Sequence, residues 1–366
     1  MSTTNDINPI KPSALIPLAK MTFATQRFLF IAGAGGGGKT SIACKEIPKG
    51  LGVPLYRDRP INLSGQGPQE VLGYGIPQKT GDMIFSAPDI WPTAERVGDT
   101  PYLIVLDEFP DYDPAVRALL RGLFPASGDR YVGPHKLGSN IDIIITGNRR
   151  SDGSRQSQIE DAPFTERCCK VTLIPDLSDW LDWMDGQHAL VDCGSHVPAF
   201  LKFGTTTGDG NDHFNPPIKQ PYDGAPHPCP RTWEAVMLAE QFRASDNACF
   251  RTFVKGSVGD AAALAYFAFL HHIDRLPDIN ALKRDAASFS MPTDPAQQFG
   301  LVSACLATAH RGVKDLGAAV HAGTFDWLVT LLLKCRGDIR EFGARSAVRR
   351  GIPLDEHAQS HSLITA

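Results

Sequence analysis

Gly33-Ala-Gly-Gly-Gly-Gly-Lys39-Thr40 is the stretch of sequence that decides the fold. It fits the pattern G-x-x-x-x-G-K-[ST], in which glycine lets backbone N–H groups turn towards a phosphate and approach it closely. An apolar run at 27–32 (RFLFIA) precedes the loop and a helix-compatible stretch follows it. The loop would therefore join a strand to a helix N-terminus, which favours an anion. We expect Lys39 to reach the β- and γ-phosphates of ATP, Thr40 to hold Mg²⁺, and the glycines to surround the phosphates: Gly33, Gly35, Gly36, Gly37 and Gly38.

Two carboxylates end the apolar run Leu103-Ile-Val-Leu-Asp107-Glu108. By itself, this pattern also fits a plain strand end or a helix cap. Downstream of a phosphate-binding loop, however, a buried strand would place Asp107 beside the phosphates, where its carboxylate supports Mg²⁺ through water. Glu108 would then polarise the attacking water as a general base.

A third polar residue, Asn148, follows the apolar run Ile141–Thr146 (IDIIIT). At the end of a strand beside the one that carries the two carboxylates, its amide would contact the γ-phosphate and orient the water. Asparagine also readily adopts the left-handed conformation of a turn. The residues alone leave both interpretations of Asn148 open.

The two halves of the chain differ in their hydrophobic patterns. Short apolar runs alternate with helical patterns in the first half, which predicts an α/β fold with a largely parallel sheet. One of these runs, Pro54–Leu63, is broken by Pro60. After about Pro175 the apolar residues recur at helical spacing. We therefore predict a P-loop NTPase core at 1–175, followed by a mainly α-helical lid and C-terminal region at 176–366 with a long loop near 204–230.

The order of these motifs resembles that of an AAA+ ATPase, with Asn148 in the place of the sensor-1 residue. Further segments are similar to those of the MoxR-like branch of that superfamily. They include a hairpin before the sensor-1 strand, a lid motif and two passages that flank the core–lid boundary. The matching segments are Ile61–Ser64 with Gly73–Pro77, Arg130–Gly138 (RYVGPHKLG), Thr165–Cys169 with Pro175–Trp183, Cys229–Trp233 (CPRTW) and Gly256–Ala263 (GSVGDAAA).

The resemblance implies roles for two arginines. Arg167 matches the arginine finger that neutralises γ-phosphate charge in the neighbouring subunit's site, and Arg231 matches the sensor-2 arginine of the lid. Cys168 departs from the branch pattern, which has an apolar residue there, so other arginines compete for the role of finger. These alternatives are Arg149, Arg150 and Arg155.

The resemblance also implies an ATPase that assembles into a ring, by analogy a hexamer, and remodels a protein partner such as one with a von Willebrand A domain. Gly73-Tyr74-Gly75 is then either a plain turn or a mobile loop whose aromatic side chain grips the substrate. The alternative function is a nucleic-acid motor or loader on the same core. A P-loop kinase or a nucleotide switch is the third interpretation.

Composition restricts these functions. The net charge of −4 gives no overall electrostatic reason to bind nucleic acid. A local patch of arginines near the C-terminus is interrupted by Asp338 and Glu341, which favours a solvated helix face. The eight cysteines show no CxxC spacing, so we expect reduced thiols and no metal apart from the Mg²⁺ of the nucleotide. We find no signal-peptide pattern and no apolar stretch near the roughly 20 residues of a membrane span, which predicts a cytoplasmic protein.

Overall fold

The computed structural model describes residues 8–125, 128–149, 164, 166–187, 196–207, 212–218, 224–276, 278–317, 320 and 323–354. The chain forms two compact units. The first unit contains Met1–Pro175 and Ile218–Tyr222, and the second contains Asp176–Pro217 and Asp223–Ala366.

A five-stranded parallel sheet is the centre of the first unit. Its strands lie in the order β1 (Pro9–Ile10), β9 (Cys168–Leu173), β2 (Phe28–Ala32), β8 (Ile141–Gly147) and β5 (Tyr102–Leu106). Along β2, Phe28 and Phe30 pack into one apolar cluster while Leu29 and Ile31 pack into another on the opposite face. Burial on both faces explains the near-continuous apolar runs of the sequence. The other strands of the unit are β3 (Gly75–Pro77), β4 (Met83–Phe85), β6 (Tyr131–Val132) and β7 (His135–Lys136).

The apolar run Pro54–Leu63 forms no strand of its own. Leu55 pairs with Leu103 and Ile61 pairs with Leu106, each as an isolated parallel bridge beyond β5. Proline lacks the N–H group that a continuous ladder requires, and Pro60 lies between the two bridges. The segment therefore borders the sheet at two points only.

Helices cover the sheet of the first unit. The helical stretch after the glycine-rich loop changes from α to π geometry at Ile42–Glu46 and returns to α geometry at 47–51. Pro48 explains the wider turn, because it has no N–H to donate to the carbonyl four residues earlier and its ring crowds that carbonyl. The α-helices of the unit are α1 (Leu15–Ala24), α2 (Lys39–Ser41), α3 (Ile47–Leu51), α4 (Pro68–Leu72), α5 (Ala94–Val97) and α6 (Pro114–Leu119).

Two short antiparallel hairpins accompany the sheet. In the hairpin β3–β4, Ile76 faces Ile84 and Pro77 faces Met83, and all six strand residues are exposed. In the hairpin β6–β7, by contrast, Val132 is fully buried. A Cβ atom on Gly133 would lie 2.1 Å from Leu72, so the second hairpin packs closely against α4.

The second unit is helical in the residues that the structure describes, and its helices share one apolar core. Trp180 is buried in that core and Trp183 packs against it, as expected for structural tryptophans. The helix before the predicted loop near 204–230 continues to Thr207. Phe200 of this helix is buried in the apolar core, and Phe203 packs against Phe299. The helices are α7 (Leu177–Asp185), α8 (Val197–Thr207), α9 (Pro230–Ala239), α10 (Asn247–Ile273), α11 (Ile279–Arg284), α12 (Pro295–Leu316), α13 (Asp326–Leu333) and α14 (Gly337–Arg349).

By length and composition alone, α10 is long and apolar enough to cross a membrane, which the sequence analysis did not expect. Gly259 divides it, however, because its φ of 79° and ψ of 164° are not helical. The parts at 247–258 and 260–273 are each shorter than the roughly 20 residues of a bilayer span. Val254, Tyr266 and Leu270 are buried in the core of the helical unit. Core helices of this kind pass the same test, so α10 is weak evidence for a membrane span.

The predicted fold class is confirmed. A parallel sheet flanked by helices is followed by a helical region, as in a P-loop NTPase core of the AAA+ type. The carboxyl ends of β2, β5 and β8 lie side by side in this sheet, because all three strands are parallel. That edge is where ligands bind in open α/β sheets.

Candidate active site

Lys39 lies at the start of the helical stretch that follows β2, and only 8% of its surface is exposed. Its ammonium group donates to the carbonyl oxygens of Gly33 at 2.8 Å and Ala34 at 2.7 Å. It also donates to Oδ1 of Asn148 at 2.9 Å, which joins the loop to the end of β8. Three acceptors hold the ammonium at the mouth of the glycine-rich loop, where it is placed to meet a phosphate.

Glycine is required at three positions of this loop. Gly38 has a φ of 93° and Gly36 a φ of 74°, a region that residues with a Cβ rarely adopt. At Gly33, an added Cβ would lie 2.9 Å from the carbonyl oxygen of Leu173. The loop therefore turns tightly against β9 and brings its backbone to the first turn of the helix, while Gly35 and Gly37 complete the same turn.

Thr40 and Asp107 meet at the carboxyl edge of the sheet. The hydroxyl of Thr40 donates to Oδ1 of Asp107 at 2.8 Å. A second hydroxyl, that of Thr146 at the end of β8, donates to the same oxygen. A hydroxyl and a carboxylate at this separation are hard oxygen donors, the ligand type that Mg²⁺ prefers. Thr40 and Asp107 therefore fit the predicted cation.

Glu108 occupies a left-handed backbone conformation with φ 54° and ψ 33°. Its backbone N–H donates to the hydroxyl oxygen of Thr146 at 3.3 Å. Its carboxylate accepts a hydrogen bond from Nδ2 of Asn62 at 3.2 Å, and Oδ1 of Asn62 accepts the N–H of Ser64 at 2.9 Å. Both the main chain and the carboxylate of Glu108 are thus held by polar partners.

Acidic groups dominate the electrostatics beside Glu108. Burial raises the pKa of the Asp111 carboxyl, and the charge of Glu108 acts in the same direction. Burial also raises the pKa of the Cys44 thiol to about 12, and Asp107 adds to the effect. Cys44 is therefore a protonated thiol at neutral pH and not a nucleophile. The local negative charge favours a cation at this edge.

Arg167 lies at the amino ends of the strands, opposite the carboxyl edge that carries the phosphate-binding loop. Its guanidinium donates to the carbonyl oxygen of Phe124 at 2.8 Å. The next residue, Cys168, pairs with Phe28 at the start of β2, whereas the phosphate-binding loop begins after the end of that strand. The five residue steps from Phe28 to Gly33 span roughly 16 Å, which is longer than an arginine side chain. Arg167 therefore does not reach the loop of its own chain.

The other arginines predicted for the site are Arg149, Arg150, Arg155 and Arg231. Arg149 directly follows Asn148, whereas Arg150 and Arg155 lie outside the described residues. Arg231 is exposed in the first turn of α9, in the helical unit. Its predicted part in nucleotide sensing stays a prediction.

The sequence analysis did not identify Thr146 and Asn62 as site residues. Thr146 is a polar residue within an otherwise apolar strand end, and that break in the pattern was the available signal. Asn62 lies next to an isolated bridge, and only the pairing of that segment with β5 brings it near Glu108.

The predicted cationic patches are engaged within the chain. In the segment at 130–138, Lys136 pairs with Asp129 at 2.6 Å, Arg130 donates to the carbonyl of Ile141, and His135 contacts that of Leu72 at 2.7 Å. The arginines near the C-terminus also have intrachain partners. These pairs are Arg336–Asp338, Arg345–Glu341, Arg349–Asp182 and Arg350–Asp185, and Arg340 donates to Cys335. Arg336, Arg345 and Arg349 remain partly exposed, as expected for a solvated helix face, whereas Arg350 is buried, which the sequence analysis did not expect.

Outside this edge, metal or thiol chemistry would depend on clustered histidine, cysteine or acidic side chains. Within the part of the chain that the structure describes, no group of three or more His, Cys, Asp or Glu residues could hold a metal ion. The seven described cysteines are free thiols. His271 and His272 join no such group, and His272 instead lies 3.1 Å from the carboxylate of Asp294.

Comparisons with known proteins leave the family open. No family model matches the sequence, and no curated protein matches it. Among solved structures, the chain is similar to NtrX from Brucella abortus, crystallised in complex with ADP. The similarity covers 84% of this chain and 68% of that chain, at 16% sequence identity and a TM-score of 0.30. The class of the protein therefore rests on its own fold and site, which are those of a P-loop nucleotide-binding core.

Proposed function

We propose that the protein is an ATP-hydrolysing AAA+ protein of the MoxR-like type, which acts as an oligomeric ring to remodel a protein partner. One observation carries the ATPase part of this proposal. Five polar side chains with separate roles in phosphoryl transfer come together at the carboxyl edge of one parallel sheet: Lys39, Thr40, Asp107, Glu108 and Asn148.

Each of these residues contributes one part of the hydrolysis. Lys39 would exchange its three oxygen partners for the β- and γ-phosphate oxygens. Because one of these partners is Oδ1 of Asn148, the exchange frees that amide to orient the attacking water. Glu108 would accept a proton from that water as it attacks the γ-phosphorus. Thr40 and Asp107 would hold Mg²⁺. When bound, the cation neutralises charge that develops on the phosphate oxygens.

The location of Arg167 supports a site completed between subunits. A guanidinium at the amino edge of the sheet cannot serve the loop at the carboxyl edge of the same chain. In a ring, the same guanidinium would face the site of a neighbour and stabilise the transferring phosphoryl group. Movement of the helical region would then follow from nucleotide contacts to Arg231, which is a hinge-type change.

The exposed hairpin β3–β4 supports a protein as the partner. Tyr74, Ile76, Met83 and Ile84 are at least half exposed, with Tyr74 at 69%. Exposed apolar side chains grouped on a short hairpin suit contact with an apolar stretch of another polypeptide. A von Willebrand A domain is the partner that the resemblance suggests. The alternative of a nucleic-acid motor would use the basic side chains of the β6–β7 segment, and these are engaged within the chain.

Hydrolysis of ATP per subunit, measured against protein concentration, tests the proposal. We expect a rise from near zero to a plateau, because the sites would be completed only on assembly. A constant rate down to nanomolar protein would contradict the ring, and no turnover at any concentration would contradict the ATPase.

A mixing experiment sharpens this test. Lys39→Ala lacks the phosphate contact but keeps Arg167, whereas Arg167→Ala keeps an intact loop. We expect each variant alone to be inactive and the mixture to regain part of the turnover. Some sites of a mixed ring would combine the intact loop of an Arg167→Ala subunit with the intact arginine of a Lys39→Ala subunit. Arg59→Ala, which removes an exposed arginine of the same unit, is the control and should behave as wild type. A mixture no more active than its components would mean that Arg167 does not complete the site of a neighbouring subunit.

A further inference from the structure

Glu108 adopts a conformation that its own residue type disfavours. Among the described residues, Asn8, Gln26 and Glu108 are the non-glycine residues with positive φ. A glutamate has no short polar side chain with which to stabilise this geometry locally, as asparagine does. Contacts from elsewhere in the fold must therefore hold it, and strained residues of this kind concentrate at functional sites.

Thr146 provides such a contact to the main chain of Glu108. It is one residue beyond Ile145, which pairs with Leu106, so it lies beside Asp107 on the neighbouring strand. Its hydroxyl oxygen accepts the N–H of Glu108 at 3.3 Å, and its proton is donated to Asp107. The residue is 1% exposed, so water does not substitute for either contact.

These contacts form a continuous line across the edge of the sheet. Thr40 donates to the same oxygen of Asp107 that receives the proton of Thr146. The line therefore runs from the phosphate-binding loop, through the carboxylate that would support the cation, to the backbone of the general base. The amide of Asn62 holds the carboxylate of Glu108 independently.

We propose that Thr146 is a positioning residue for ATP hydrolysis: its hydroxyl fixes Glu108 in the left-handed conformation and ties it to Asp107. This inference rests on the proposed ATPase function. It assigns Thr146 no contact with the substrate. The hydroxyl sets where the carboxylate of Glu108 points, and a displacement of about 1 Å in a reacting group can cost up to about 10²-fold in rate.

Thr146→Val and Thr146→Ser test the proposal, since valine keeps the shape and removes the hydroxyl while serine keeps the hydroxyl. We expect Thr146→Val to lower kcat by about 10- to 100-fold, with KM for ATP and the affinity for a non-hydrolysable ATP analogue changed by less than about threefold. Thr146→Ser should regain most of the rate. Thr22→Val removes another buried threonine hydroxyl, in α1, and should keep the wild-type rate.

Hydrogen–deuterium exchange gives a readout that does not depend on turnover. The N–H of Glu108 should exchange faster in Thr146→Val than in wild type and should be protected again in Thr146→Ser. A wild type without turnover would contradict the proposed function alone, because the exchange result would still report on the contact. Unchanged exchange and unchanged kcat in Thr146→Val would overturn the inference. An equal loss of kcat, analogue binding and Tm would also overturn it, because Thr146 would then be merely structural.

Discussion

The carboxyl edge of the sheet and the core of the helical unit both contain charged side chains with hydrogen-bond partners, but the partners differ. At the edge, Lys39 is held by carbonyl and amide oxygens that a phosphate can replace, and Asp107 and Glu108 are partly exposed. In the helical unit, the side chains of Asp185 and Arg350 are only 3% and 5% exposed and lie 2.9 Å apart. Charges with exchangeable partners serve chemistry, whereas a closed pair serves the fold.

Asp185 illustrates how closed the second setting is. Burial raises the pKa of its carboxyl, although the guanidinium of Arg350 acts in the opposite direction. Ser346 donates a further hydrogen bond at 3.1 Å to the same carboxylate oxygen. A buried ion pair is weak evidence of net stabilisation, but the loss of one partner leaves an uncompensated charge.

Glu108→Gln should give the largest effect and affect only activity. Glutamine cannot accept the proton of the attacking water, so turnover should fall by about 10²- to 10⁴-fold. Nucleotide affinity and Tm should stay close to wild type, because the side chain is partly exposed and amide and carboxylate have the same shape. Steady-state ATPase assays and thermal unfolding measure the two quantities. Glu95→Gln, the same change at an exposed position, is the control. Full turnover in Glu108→Gln would mean that Glu108 is not the general base of this site.

Arg350→Ala should have the opposite profile and destabilise the helical unit by about 3–5 kcal/mol, because it leaves Asp185 buried without its cation. Chemical denaturation followed by circular dichroism measures the loss. Arg345→Ala breaks a half-exposed pair with Glu341 and should cost less than about 1 kcal/mol. Equal losses in the two variants would mean that burial does not make the Asp185–Arg350 pair more important for stability than the Glu341–Arg345 pair.

Gly259→Ala should destabilise the same unit by about 1–3 kcal/mol, through the backbone rather than through charge. Its φ of 79° disfavours a Cβ, and that atom would lie 2.8 Å from the carbonyl oxygen of Pro226. Gly256→Ala, three residues earlier in the same helix, is the control. A Cβ atom on Gly256 would have no atom within 4 Å apart from the backbone of its own helix. A Gly259→Ala variant as stable as wild type would indicate that α10 can straighten.

Tyr74→Ala should have the smallest effect on the isolated protein. The side chain is 69% exposed, so stability and basal turnover should stay unchanged. If the hairpin β3–β4 grips a protein partner, stimulation of turnover by an unfolded apolar polypeptide should be reduced. Met21→Ala changes a comparably exposed side chain on α1 and should keep the stimulation. Unchanged stimulation in Tyr74→Ala would argue that Tyr74 is part of a plain turn.

Local patterns predicted the sheet and most of the candidate site. A strand buried on both faces is apolar throughout, and the glycines before Lys39 are close together in sequence, so both features can be read without the fold. The roles of Thr146 and Asn62 are different, because each meets Glu108 only through strand pairing across about 40 residues. The break at Gly259 was equally hidden, since its apolar neighbours keep helical spacing on both sides.

The short strand β1 has a consequence for solubility. Thr172 donates to the carbonyl of Asn8 at 3.1 Å and Ile174 donates to that of Ile10 at 2.9 Å, while Nδ2 of Asn8 reaches the carbonyl of Lys170. Without residues 8–10, β9 would present these groups as an open edge, which is a template for pairing with another molecule. Removing the residues before Pro12 should therefore promote strand-mediated aggregation at high concentration, even though the phosphate-binding loop itself would be unchanged.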